Sequence, residues 1–78
     1  MDAKMSISEK LAWEIQAQND RGEASARQRL ALEIAYGVSL AQGDPASFSS
    51  TMDNVAEQVS DPEMQRLLRF YTKRGLKQ

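Results

Sequence analysis

The chain has 78 residues, with 10 basic against 11 acidic side chains and a formal charge of −1. That is one small domain, and its near-neutral total argues against both a broadly phosphate-attracting surface and an acidic mimic of DNA. Cysteine and histidine are both missing, which removes disulfides, thiolate chemistry, imidazole acid–base catalysis and the commonest metal ligands.

The opening MDAKMSISEK has no apolar run behind a basic segment, which predicts no secretory leader. No stretch approaches 18 uncharged apolar residues, so no membrane span is expected, and the expected setting is cytoplasmic. Residues 1–5 and 76–78 are expected to fray. Ser6 followed three residues later by Glu9 forms a capping box for a first helix, with Ser8 a rival cap. Ile7, Leu11 and Ile15 recur every four residues and share one face. The helix ends in the run NDRG, where Gly22 suits a left-handed cap.

A second helix is expected over about 23–42. Leu32, Tyr36 and Leu40 lie on one side of it, and Leu30, Ile34 and Ala41 on another; Glu33 is the only charge after Arg29. A helix apolar nearly all round is a central helix or one buried between subunits. In a chain this short it needs cover on both sides, which predicts a homodimer.

Gly43-Asp44-Pro45 reads as a break, and residues 46–50, carrying Phe48, as a connector. A third helix is expected from Ser50 or Thr51. It turns Met52, Val55, Ala56 and Val59 inward and Asp53, Asn54, Glu57 and Gln58 outward. The fourth start is the sharpest: Asp61 caps, Pro62 takes the first helical position and Glu63 suits the positive helix end. Met64, Leu67, Leu68 and Tyr71 form its core face, and Gly75 is expected to end it, with Leu76 folding back in a Schellman motif. The fold class is therefore all-α: a single domain, 1–78, built as a compact bundle of about four short helices and paired as a homodimer.

Catalysis finds little to work with. Asp53 and Glu57 lie on the polar side of their helix, where solvent keeps both ionised. Ser47, Ser49 and Ser50 have no histidine, and no Ser-x-x-Lys occurs. Asp44, Asp53 and Asp61 do not match a calcium loop, and Met52 and Met64 belong to apolar stripes. The reading is not an enzyme, with no catalytic, cofactor-binding or metal residues and no cofactor.

Binding is better supported. Residues 44–64 hold five acids and no base, and residues 65–78 five bases and no acid; the simplest expectation is that these segments face each other within a monomer or across a dimer. On the fourth helix Arg66, Arg69 and Lys73 project opposite the core face, as a phosphate-contacting stripe would. The acidic third helix, and Asp61 and Glu63 at the start of the fourth, oppose both nucleic acid and an anionic membrane. Phe70 flanks the core face. Trp13 lies about 200° around its helix from Leu11, among Glu9, Gln16 and Asp20. Exposed, it is a hot-spot residue for a partner; wedged between neighbours, it is core.

The candidate partner-binding residues are Trp13, Arg66, Arg69, Phe70, Lys73 and Arg74. The expected function is a non-catalytic helical protein that binds and modulates another protein. It would be an adaptor or an inhibitor, of cellular, phage or plasmid origin. The alternative is a dimeric DNA-binding transcriptional regulator using the basic C-terminal helix. Over about half the chain, Leu40, Gly43-Asp44 and Ser60-Asp61 resemble the layout of small helical stress and biofilm connector proteins of bacteria. That layout consists of generic caps and apolar spacings; it assigns no family and favours a non-catalytic regulator.

Overall fold

The computed structural model describes residues 5–77, so the expected fraying of residues 1–4 and 78 lies outside it. Four helices follow in order: α1 (Ile7–Arg21), α2 (Ala26–Ala41), α3 (Pro45–Gln58) and α4 (Pro62–Leu76). There is no strand among the described residues. The expected all-α bundle of four short helices is what the chain forms.

Each start is fixed by a side chain that accepts an orphan backbone N–H. Ser6 wins over Ser8: its hydroxyl accepts from the Glu9 N–H at 3.1 Å, and the Glu9 carboxylate accepts from the Ser6 N–H at 2.7 Å. α1 ends at Gly22, whose φ of 70° is the left-handed conformation glycine adopts without strain. α2 starts later than expected. Ser25 and Gln28 form a second capping box, with distances of 3.1 and 2.8 Å, so residues 23–25 belong to the turn.

α3 starts earlier than expected, and this is the largest correction. Asp44 accepts from the Ser47 N–H at 3.0 Å and Pro45 occupies the first turn, the same Asp-Pro start that opens α4. Residues 46–50 are therefore helical. Phe48 is no connector residue but part of the core, with none of its surface exposed. α4 also differs at its end. Gly75 lies inside the helix, which continues through Leu76, and Lys77 caps it in extended conformation, so no Schellman turn forms.

The core comprises Ile7 and Leu11 of α1, Ala31, Leu32 and Ala35 of α2, Phe48, Met52 and Ala56 of α3, and Met64, Leu67, Leu68 and Tyr71 of α4. Both α2 and α4 pack against all three other helices. α2 is nonetheless not apolar-covered all round. Its buried stripe runs through Ala31, Leu32, Ala35 and Ser39, while Leu30 and Leu40 stay 52% and 63% exposed on the outer face. Gln65 ties α3 to α4: its side-chain amide donates to the carbonyls of Ala56 and Val59 at 3.0 and 2.8 Å, where α3 ends.

Candidate protein-interaction face

Trp13 is 66% exposed, and Phe70 is 47% exposed. Of the two readings of the tryptophan, the exposed one holds. The reason is its position on α1: Ile7, Leu11 and Gln18 turn inward, and Trp13 projects from the far side.

Because α1 packs beside α4, the exposed tryptophan borders the C-terminal half of α4. An open groove of about 400 Å³ is lined by Met5, Lys10, Trp13, Glu14, Arg74 and Lys77. A second depression of about 430 Å³ continues it past Arg74 and Lys77 to Phe70, Lys73 and Leu76. On the other side of the tryptophan a third is lined by Glu9, Ala12, Trp13 and Gln16. Four of the six candidates, Trp13, Phe70, Lys73 and Arg74, thus line one continuous surface.

A relay of contacts orders its middle. The Arg74 guanidinium bonds the Glu14 carboxylate through Nε at 2.8 Å and through Nη2, and it lies 5.7 Å from the centroid of the Phe70 ring. Phe70 meets Tyr71 edge to face, with centroids 5.1 Å apart and planes at 79°. The Lys10 ammonium donates to the carbonyl oxygen of Lys77, closing α1 against the end of α4. Lys10, Met5 and Lys77 escaped the sequence reading; only the pairing of α1 with α4 brings them to Trp13.

The other two candidates go elsewhere. Arg69 points toward α3 and lies 3.5 Å from Asp53. Arg66 pairs with Glu63 one turn earlier, at 3.6 Å. The acidic and basic segments therefore face each other only in part. Asp53 and Glu63 meet α4 arginines, while Asp61 takes Arg27 of α2 at 2.6 Å and Arg74 takes Glu14 of α1. The Arg27 pairing and the α4 cap hold the Asp61 carboxyl below the usual aspartate range.

Among the described residues, no three acidic side chains gather as a metal site, and no helix is long and apolar enough to cross a membrane. Comparison with protein-family models, curated proteins and solved structures finds no match for the chain.

Proposed function

We propose that this protein is a non-catalytic helical module that binds another protein on the α1–α4 face and modulates it, as an adaptor or an inhibitor. The observation that carries this is Trp13: the only tryptophan in the chain is spent on the surface, beside a half-exposed Phe70 and an ordered arginine. Tryptophan, aromatic neighbours and arginine are the residue types that dominate binding energy at protein interfaces.

The test uses wild-type protein and Trp13→Ala as parallel baits against lysate of the source cell, with capture read by mass spectrometry. The substitution is expected to change stability by about 0.5 kcal/mol or less, so loss of capture reports the surface. A partner held by wild type and lost by Trp13→Ala supports the reading. A partner held equally by both moves the binding face elsewhere.

Homodimer formation is part of the same proposal, on a different surface. The outer face of α2 carries Leu30, Leu40 and the half-buried Ile34 around Gly37. A methyl added at Gly37 would meet no atom within 4 Å, so packing within one chain does not call for glycine there. Close approach by another helix would. Sedimentation equilibrium at tens of micromolar should give twice the chain mass, and Leu40→Glu should return it to one. A monomer throughout that range overturns the dimer.

The DNA-binding alternative draws less support. Arg66 and Arg69, two of the three stripe residues, each lie within ion-pair distance of a carboxylate of this chain, which lowers the positive charge the stripe offers a phosphate.

A further inference from the structure

We infer that the segment received by the α1–α4 groove is acidic: a stretch of the partner protein that lays an aromatic or aliphatic side chain against Trp13 and Phe70 and sets carboxylates on Lys73, Lys77 and Lys10. This rests on the protein-binding reading above and names the chemistry of its partner.

The argument is charge complementarity. The groove and its continuation are lined by four cations, Lys10, Lys73, Arg74 and Lys77, and by one carboxylate, Glu14. Glu14 is already bonded to Arg74. Lys73 and Lys77 have no carboxylate within 4.0 Å among the described residues. Both line the second depression, Lys73 on the last turns of α4 and Lys77 at its C-cap. Elsewhere on α4 the arginines have found acidic neighbours, so the unspent positive charge collects beside the exposed aromatics. Carboxylates arriving there would relieve repulsion among the lysines while an apolar anchor covers Trp13.

Cations beside aromatics also suit a single nucleic-acid strand, whose bases stack on rings. The arrangement favours a peptide. Glu9 lines the depression on the far side of Trp13, where a chain of phosphates crossing the ring would meet it. A peptide can place its carboxylates one at a time on the lysines and present neutral residues to Glu9.

The experiment selects binders from a random phage-displayed peptide library on the 78-residue chain. Representative peptides are then synthesised and titrated against wild type, Trp13→Ala and the double variant Lys73→Glu/Lys77→Glu. A single-stranded oligonucleotide is titrated alongside. The expected consensus is rich in Asp and Glu around an aromatic or aliphatic residue. Affinity should fall roughly tenfold in either variant and weaken as salt rises. Circular dichroism checks that both variants remain folded. Peptides that depend on Trp13 but are neutral or basic would overturn the acidic partner and leave the groove as the docking face. Acidic peptides indifferent to Trp13→Ala would overturn the groove itself. No enrichment at all would overturn both, and an oligonucleotide that binds more tightly than every peptide at physiological salt would replace the peptide with nucleic acid.

Discussion

The side-chain amide of Gln18 donates a 3.1 Å hydrogen bond to the phenolic oxygen of Tyr71, and both residues are buried between α1 and α4. Among the described residues this is the one buried side-chain-to-side-chain hydrogen bond that joins two helices of the bundle, and it holds together the elements that carry the groove. Tyr71→Phe removes the acceptor and strands the amide. We expect a loss of about 1–3 kcal/mol in urea denaturation. Gln18→Leu combined with Tyr71→Phe should lose less than the two single changes added together, because neither polar partner is then left unmatched. Burial also pushes the Tyr71 hydroxyl above the ordinary tyrosine range. The fold therefore favours the neutral phenol. Its contribution is complete below the unfolded tyrosine value and is lost as pH rises through the folded one. Absorbance titration should show one phenol ionising later in the native protein than after denaturation.

Acid should act through the helix starts. Asp44 is held below the usual aspartate range by the Ser47 hydrogen bonds, and Asp61 by the Arg27 bond first. For depressed carboxyls the sign is fixed: their contribution is present above the unfolded aspartate value and disappears as pH falls through the folded one. The melting temperature should hold steady down to about pH 5 and then decline below it. Asp44→Asn combined with Asp61→Asn should flatten that decline. An unchanged acid limb would show that other carboxyls carry it.

Two glycines should respond in opposite directions. A methyl on Gly75 would stand 3.0 Å from Ile7 Cγ2 and 3.3 Å from the Phe48 ring. Gly75→Ala should therefore cost about 1–3 kcal/mol as an overpacked core. At Gly37 the methyl enters open space, and Gly37→Ala should stabilise the monomer by about 0.5–1 kcal/mol through helix propensity. If α2 pairs with a second copy at this point, the same change weakens self-association in sedimentation.

Leu68 and Arg69 are neighbours in sequence on opposite sides of α4. Leu68 is fully buried, so Leu68→Ala should cost about 2–5 kcal/mol. That is a large part of what so small a domain has to lose. Arg69→Ala removes only a solvent-exposed ion pair with Asp53 and should cost about 0.5 kcal/mol or less. Chemical denaturation distinguishes the two directly.

Caps and apolar spacing were the legible part of this chain. Ser6 with Glu9, Gly22, and Asp61 with Pro62 each act locally, so the residues that decide the geometry are adjacent in sequence. Asp44-Pro45 carries the same start signal as Asp61-Pro62. Gly43 in front of it does mark the break after α2, as expected, but the serines behind it make the residues that follow look like a connector. What settles the matter is Phe48, buried near Ile7 and Gly75 by a contact between distant parts of the chain that periodicity does not reveal. The reading of Gly75 as a helix end failed for the same reason: that glycine leaves room for Ile7 and Phe48. On α2, spacing identified the apolar residues but not which of them have neighbours, so exposed Leu30 and Leu40 emerge only from the fold. The angle of Trp13 on α1 left it either exposed or wedged between neighbours, and the packing of the other helices decides for exposure. Its union with Phe70, Lys73 and Arg74, and the departure of Arg66 and Arg69 to other carboxylates, depended on which helices pack side by side.

The crowding around Gly75 has a bearing on how the protein is made. Ile7 opens α1, Phe48 lies in the first turn of α3, and both close onto the last turn of α4. On the ribosome, the first three helices emerge with a phenylalanine and an isoleucine still waiting for the surface that covers them. Closure of the core must then follow release of the final helical turn, so a nascent chain stalled before Gly75 should remain open to protease until translation resumes.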